Sequence, residues 1–356
     1  ETVERLAPGE FSETQLTSSW NWAVRQYQKR IAAGETIESD RVSLVDQVEF
    51  YGNKKFNFED DRCSLDEEDD SLLLILYQML MGPIKSKNGK ILSYSHLMLD
   101  EAQDFGPLEF QVLVSLTPEK HPSVTLAGDM DQRIMLGRKH ETWDESLSYL
   151  TLPDGSKPDV TALSPLQIGY RSTDEIMKAA KKVIGEHSVN TTWYSTRQGA
   201  PVNVFRFQES GAMVAFLADT LEDLCVREPL ASIAVLMRTN EAALKLYEGL
   251  QRTDLANMRI IRDQEFSFTP GIDVTDISQT KGLEFDTVII ADADASTYGP
   301  DILSRQLLYV GLTRAKNSCV ISYAENRFKF GEFSFNFESR FIKDLPKENI
   351  EDLTPS

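Results

Sequence analysis

Asp100 and Glu101 stand side by side, directly after the apolar run Leu97-Met98-Leu99. A short apolar run ending in acids is the pattern of a buried parallel strand that delivers carboxylates to the carboxyl edge of a sheet. Open α/β sheets bind their ligands at that edge. There Asp100 could hold Mg²⁺ through its water shell, and Glu101 could orient or deprotonate an attacking water. Taken alone, the pair is better explained as a strand that ends in solvated acids.

Three further blocks change that balance. Gly128-Asp129-Met130-Asp131-Gln132 follows the next apolar run, Ser123–Ala127. A glycine after a strand lets backbone approach a ligand closely, and Gln132 offers a neutral amide to a phosphate or to the attacking water. Tyr170 and Arg171 precede Ser172-x-x-Glu175, a capping-box pattern that opens a helix to Gly185. A helix N-terminus is a natural anion site. There the Tyr170 ring could stack on a base and the Arg171 guanidinium could take a phosphate. Arg314 closes a helix expected over 305–316 and would be a second cation, placed to neutralise charge on a transferring phosphoryl group. Each block has a plainer explanation by itself: a polar turn, an exposed Tyr-Arg pair, a surface arginine.

The elements that must position these residues alternate in type. Leu72–Met81 reads as an apolar helix behind the capping box Ser64-x-x-Glu67, ended by Gly82-Pro83. The strand to Asp100 is followed by a helix over Pro107–Leu116. Further N-terminal, Ser12-x-x-Gln15 opens a stripe of Leu16, Trp20, Ala23, Tyr27 and Ile31 that suits packing, and 36–62 is irregular. The Pro-, Gly- and charge-bearing stretch Pro153–Pro158 is the expected domain boundary, giving regions 1–158 and 159–356. Beyond it come strands at Val160–Leu163, Val202–Phe207, Ile233–Met237, Met258–Ile261, Ile272–Ile277, Thr287–Ala291 and Ser318–Tyr323. Helices at Ala212–Cys225, from Thr239 to Leu250, and over 305–316 alternate with them. This alternation predicts an α/β fold with a second parallel sheet.

The bulk numbers bound the function. With 356 residues the chain is long enough for about two domains. A net charge of −19 means that any nucleic-acid contact must use a local groove. The three cysteines, Cys63, Cys225 and Cys319, are widely spaced, which suits a reducing cytoplasm and neither a disulfide framework nor a zinc site. No apolar run approaches the ~18 residues that cross a bilayer, so a cytoplasmic protein without a membrane partner is expected.

Taken in order, the blocks resemble superfamily 1 helicases of the UvrD/Rep type. Asp100-Glu101-Ala102-Gln103-Asp104 resembles motif II and Gly128-Asp129-x-x-Gln132 motif III. Tyr170-Arg171-Ser172-Thr173 resembles motif IV, and Ile233–Asn240 the family's next strand and turn. Lys281-Gly282-Leu283-Glu284-Phe285-Asp286 resembles motif V, and Leu308-Tyr309-Val310-x-x-Thr313-Arg314-Ala315 motif VI. The closing segment Ser339–Ile342 with Leu345-Pro346 also fits. The resemblance implies two RecA-like lobes of the P-loop NTPase kind, parallel sheets flanked by helices, the first lobe incomplete in this chain. By that analogy the cofactors are ATP and Mg²⁺. Asp100 serves the metal and Glu101 the water, while Gln132, Arg171 and Arg314 contact the γ-phosphate. Tyr170 stacks on adenine, Gly282 belongs to the nucleotide-binding turn, and Glu284 reaches the ribose.

Four departures shape the functional expectation. No Gly-x-x-x-x-Gly-Lys-[Ser/Thr] occurs in the sequence. The P-loop is therefore expected from an N-terminal segment of a longer protein, and this chain alone is expected to turn over no ATP. The third motif runs on into Met135-Leu136-Gly137-Arg138, without the aromatic-Trp-Arg stretch that stacks DNA bases in UvrD-like proteins. Ser278 stands where their fifth motif carries His. About a hundred residues separate Tyr170 from Lys281, too few for the large inserted 2B domain. Both side-chain losses fall on the DNA side, where base stacking supplies much single-strand affinity. The leading expectation is the motor of an ATP-dependent DNA helicase or translocase. The alternative is a HelD-like ATPase that remodels bacterial RNA polymerase, and a third reading is a non-catalytic binding module that keeps the fold.

Overall fold

The computed structural model describes residues 67–118, 122–134, 142–148, 150, 152, 156–157, 159–161, 166–185, 194–253, 255–329, 332–345 and 350–353. The helix expected behind Ser12, the stretch 36–62, Ser64, Met135–Arg138, Pro346 and most of the 153–158 linker lie outside the described residues. The chain divides into two compact units. The smaller comprises Glu1–Asp100, Phe105–Ala127 and Trp143–Val160; the larger comprises Glu101–Asp104, Gly128–Thr142 and Thr161–Ser356.

In the smaller unit, α1 (Glu67–Met81) starts with four acids, which favour the positive end of the helix dipole. It stops at Gly82, whose φ of +81° reverses the chain. Strand β1 (Leu97–Leu99) leads to Asp100. Helix α2 (Pro107–Val114) follows, with Pro107 at the first helical position, where a missing N–H costs nothing. Strand β2 (Val124–Leu126) pairs parallel with β1, Met98 opposite Thr125. Helix α3 (Trp143–Ser148) is a short turn further on. Buried Ile75 of α1 packs with Val112 of α2, and Gln78 donates to the Ser115 hydroxyl at 2.6 Å.

The larger unit opens with β3 (Ile168–Gly169), α4 (Asp174–Ile184) and β4 (Tyr194–Ser195); β3 and β4 pair parallel. Then come β5 (Val202–Glu209), α5 (Ser210–Arg227), β6 (Ser232–Met237), α6 (Asn240–Leu250), β7 (Met258–Ile260) and β8 (Gly271–Asp276). They are followed by β9 (Phe285–Ile290), α7 (Ile302–Thr313), β10 (Ala315–Lys329), β11 (Glu332–Phe335), α8 (Arg340–Lys343) and β12 (Ile350–Leu353). The main sheet runs β12-β5-β10-β9-β6-β8-β7 with β11 paired to β10. All pairings along that path are parallel, and only β11 is antiparallel. The expected parallel α/β architecture is therefore present.

Both faces of this sheet are covered, which is why its central strands are apolar at consecutive positions. On β6, Ala234 and Leu236 face a cluster built with α4 and α7, including Ile176, Val183, Leu308 and Leu312. Ile233, Val235 and Met237 face the opposite cluster with α5 and α6, including Leu217, Leu221, Leu246 and Leu250. Helix α7 lies close on the first face: a Cβ at Gly311 would sit 3.0 Å from Cδ1 of Ile290 and 3.2 Å from that of Ile277. The order of the strands reverses between β6 and β9. The chain leaves β6 toward β7 and β8, but leaves β9 toward β10.

Three sequence expectations need correction. Helix α7 begins at Ile302, not Arg305, because Asp301 caps it and accepts from the Ser304 N–H at 2.8 Å. It ends at Thr313 because Ala315 already pairs with Phe285 in the sheet. The N-cap of α4 is Thr173 rather than Ser172: the Ser172 hydroxyl instead donates to the Ala315 carbonyl at 2.6 Å, and Glu175 accepts from the Gly199 N–H at 2.8 Å. Val160 and Thr161 are not in a strand, and the rest of the Val160–Leu163 segment lies outside the described residues.

Candidate functional site

Arg314 sits at the C-cap of α7, the place where a cation best matches the helix dipole. It is 1% exposed, and its guanidinium is spent on fixed partners. Nε donates to the Val310 carbonyl at 3.2 Å and Nη1 to the Leu283 carbonyl at 3.1 Å. Nη2 donates to Oε1 of Gln132 and, at 3.4 Å, to Oγ1 of Thr313. The Leu283 carbonyl is presented by a tight turn in which Gly282 takes φ +73°, a conformation that favours glycine. Burial pushes the Arg314 pKa below its ordinary value, and the neighbouring charge of Arg171 adds to that. Glu101, Tyr309 and Asp129 act in the opposite direction. An arginine does not lose its proton in a protein, so a buried cation stands here, balanced by nearby acids.

Gln132 belongs to a single 3-10 turn, Met130–Gln132, capped by Asp129, which accepts from the Asp131 N–H at 3.0 Å. The other Asp129 oxygen accepts from Gln132 Nε2 at 2.9 Å and from the Tyr309 hydroxyl of α7 at 3.2 Å. Burial, and then Asp129 and Asp131, hold the Tyr309 pKa well above its ordinary value, so the ring keeps its proton and remains a donor. Gln132 therefore has both ends of its amide committed, Nε2 to Asp129 and Oε1 to Arg314.

Glu101 is tied to the same group. Gln103, 1% exposed, donates from Nε2 to the Glu101 carboxylate at 2.5 Å and accepts the Asp129 N–H on Oε1 at 3.0 Å. Glu101 itself takes φ +50°, a left-handed conformation that is costly for a residue with a side chain. The amide of Gln103 fits because residue 128 has no side chain: a Cβ there would collide with Gln103 Oε1 and lie 3.0 Å from the Ala102 nitrogen. Gly128→Ala should therefore cost about 1–3 kcal/mol, as overpacking does, and free the Glu101 carboxylate from its amide partner. Urea unfolding checks this; an unchanged midpoint would contradict it.

Arg171 forms an ion pair from Nε to Glu284. Both side chains remain about half exposed, and Tyr170 beside them is 70% exposed. Lys281 forms an ion pair with Asp104, joining the turn before β9 to the segment that carries Glu101. Within the larger unit, then, Glu101, Gln132, Arg314, Gly282, Arg171, Glu284 and Tyr170 fall on one side of the lobe, at the amino ends of β9 and β10. Asp100 belongs to the smaller unit, exposed at the end of β1. Among the described residues no group of three or more His, Cys, Asp or Glu could cage a metal, and magnesium asks for less: one or two carboxylates, with water and phosphate oxygens completing the shell.

Sequence reasoning missed Gln103, Asp129, Tyr309, Asp104 and Lys281 as members of this network, although all lie inside the motifs. A polar residue two positions from a candidate acid, at a position that turns out 1% exposed, is a signal of a side chain held for its hydrogen bonds. At the opposite edge of the sheet, outside the carboxyl ends of β6 and β9, a crevice of about 380 Å³ is lined by Arg238, Thr239, Asp292, Ser296, Thr297 and Asp301, with Met237, Ala242 and Gly299. It lies where the strand order reverses, the usual place for a ligand in such sheets.

The larger unit is thus a parallel α/β lobe with an arginine-glutamine pair at one edge and a switch-point crevice at the other. Residues 165–269 and 271–322 each match a family model described as a UvrD-like helicase C-terminal domain, so this part of the chain is similar to the C-terminal portion of UvrD/Rep-type helicases. Among curated proteins, DNA helicase II of Haemophilus influenzae is 34% identical over 92 residues, 23% of this chain and 12% of that protein. DNA helicase II of Escherichia coli is 31% identical over 100 residues, 25% of this chain and 14% of that protein. The ATP-dependent DNA helicase PcrA of Bacillus subtilis is 31% identical over 178 residues, 49% of this chain and 23% of that protein. The matches thus span less than a quarter of the length of these relatives. The solved C-terminal domain of a possible DNA helicase from Lactobacillus plantarum matches with 22% identity and a TM-score of 0.41, over 52% of this chain and 98% of that one. No helix among the described residues is long and apolar enough to cross a membrane.

Proposed function

We propose that this chain is the nucleotide-sensing part of an ATP-dependent DNA helicase or translocase. The observation that carries the reading is the convergence of Gln132 and Arg314 on one hydrogen bond, with Arg171 and Glu101 close enough to bear on the Arg314 charge. An amide and two guanidinium groups form a donor set suited to the three terminal oxygens of a triphosphate. Glu101, held by Gln103, is the acceptor that orients the attacking water and takes its proton. Tyr170, largely exposed, stacks on adenine, and Glu284 turns from Arg171 to the ribose when nucleotide enters. Asp100 is the carboxylate that would hold magnesium, which would supply neutralising charge to the phosphates. The phosphate cradle comes from a P-loop segment of the same protein. The setting is the cytoplasm.

In the structure each sensor is satisfied by a protein partner: Gln132 by Arg314, Arg171 by Glu284. A γ-phosphate replaces those partners, and its loss on hydrolysis restores them. That exchange is a two-state element of the kind that drives nucleotide switches, and in this reading it moves the protein on DNA. The test is the full-length protein with Mg²⁺ and ATP. ATPase should rise at least several-fold with single-stranded DNA, and this chain by itself should show no turnover. Turnover by the isolated chain that is lost in Glu101→Gln would overturn the division of labour.

One observation favours a second reading, in which the same motor works on RNA polymerase in the manner of HelD-like proteins. Asp292 and Asp301 line the crevice at the far edge of the sheet, where acids oppose a phosphate backbone. Ser278, at the position where the resembled helicases carry histidine, is turned onto Asp276. ATPase indifferent to single-stranded DNA, together with co-purification of RNA polymerase, would select this reading.

A further inference from the structure

From the sequence alone Arg197 is one more exposed arginine in a polar loop, yet its side chain joins two segments more than a hundred residues apart. Nη1 donates to the backbone carbonyl of Arg171 and, at 3.4 Å, to that of Lys316. Nη2 donates to Oδ1 of Asn317 at 2.6 Å. Its own backbone is held as well: its N–H donates to the Ser195 hydroxyl at 3.0 Å, and its carbonyl accepts from the Asp174 N–H at 2.7 Å. Ser195 in turn donates to the Ser172 carbonyl at 2.6 Å, and Ser172 to the Ala315 carbonyl at 2.6 Å. The receiving segment is fixed to the sheet, since Lys316 pairs with Asp286 at 2.9 Å. The carbonyl of Arg171 is thereby tied to the residues immediately after Arg314.

We infer that Arg197 is a positioning residue, which sets the distance between the Arg171 and Arg314 guanidinium groups by clamping the Arg171 backbone to Lys316–Asn317. The inference rests on the nucleotide reading above and adds a residue that touches no nucleotide in it. Two like charges facing one phosphoryl group repel each other, so their spacing must be imposed by the backbone rather than left to the side chains. Arg197 suits that task because one planar fork reaches three acceptors in two segments. A lysine at 197 presents a single point charge and has no such fork.

The test uses the full-length protein with Mg²⁺ and two fluorescent probes, a slowly hydrolysed ATP analogue and ADP. Only the first carries a γ-phosphate, so the ratio of the two affinities reads Arg171 and Arg314. Arg171→Ala should lower that ratio about tenfold, the scale of one charge-assisted contact. Arg197→Ala and Arg197→Lys should each lower it about fivefold with ADP affinity unchanged. The Arg171→Ala/Arg197→Ala double variant should match Arg171→Ala alone, because Arg197 acts only through Arg171. A merely structural role would weaken both probes together and multiply in the double variant, and that result overturns the inference. If Arg171→Ala lowers the ratio and Arg197→Ala does not, the inference fails while the nucleotide reading stands; if Arg171→Ala changes nothing, both fall. Should Arg197→Ala not fold, Asn317→Ala removes one clamp acceptor and should lower the ratio about twofold, and an unchanged ratio there is likewise contradictory.

Discussion

Arg314→Ala in the full-length protein should lower the turnover of ATP about 10³-fold or more, the scale attached to a guanidinium that neutralises charge on a transferring phosphoryl group. The same change should also destabilise the fold, because Arg314 is 1% exposed and serves the carbonyls of Val310 and Leu283. Removing it strands the Leu283 carbonyl, at a cost of about 1–3 kcal/mol, while the Val310 carbonyl keeps the backbone N–H of residue 314 and the Thr313 hydroxyl. Arg314→Lys separates the two effects. Lysine keeps the charge and the C-cap position but lacks the fork that reaches Leu283 and Gln132 together, so stability should recover further than turnover. Steady-state kinetics beside thermal melting reads both. Turnover that stays at wild-type level in a folded Arg314→Ala protein would remove this residue from the site.

Glu101→Gln should give the second largest effect, a fall of about 10²–10⁴ in turnover, as expected when a general base is lost. Nucleotide affinity should be almost unchanged, since the amide is isosteric and the phosphate-facing groups remain. The local fold has a stake in this residue as well. Glu101 holds φ +50° and accepts from Gln103 at 2.5 Å. A glutamine can still accept from Gln103 through its amide oxygen, so melting should move little. A large loss of nucleotide affinity in Glu101→Gln would show instead that the carboxylate helps to bind, and the role given to it would be wrong. The two substitutions together distinguish chemistry from sensing: one should lose hydrolysis with binding intact, the other should lose the distinction between triphosphate and diphosphate.

The fold was legible where periodicity is long. Strands β5, β6, β8 and β9 carry runs of apolar residues bounded by turns, and each lies within a few residues of its expected place, while β10 runs six residues past its expected end at Tyr323. The parallel sheet followed from their alternation with α5 and α6. Strands β3 and β4 were not legible, because two residues each carry no period. Nor was β12, whose sequence Ile350-Glu351-Asp352-Leu353 resembles an acidic loop and gains its strand only by pairing with β5. Helix α7 begins three residues before its expected start, because Asp301-x-x-Ser304 is a cap while the apolar stripe begins later.

Within the candidate site, the sequence pointed to the charged and amide groups and missed what holds them. Gln132 and Arg314 carry recognisable chemistry in recognisable blocks. Gln103, Asp129, Tyr309 and Arg197 act by bonds between segments as much as 180 residues apart in the chain, such as Tyr309 to Asp129, and no local spacing encodes such a bond. Ser172 shows the same limit from the other side. Its spacing to Glu175 fits a local capping box, yet both side chains are taken by tertiary partners, the Ala315 carbonyl and the Gly199 N–H.

The most direct measurement is a crystal structure of the full-length protein with Mg²⁺ and a non-hydrolysable ATP analogue. The account predicts that Arg314 Nη2 has left Gln132 Oε1, and that both side chains, with Arg171 released from Glu284, lie within hydrogen-bond reach of the γ-phosphate. An analogue bound while the Arg314–Gln132 and Arg171–Glu284 contacts stay closed would contradict it.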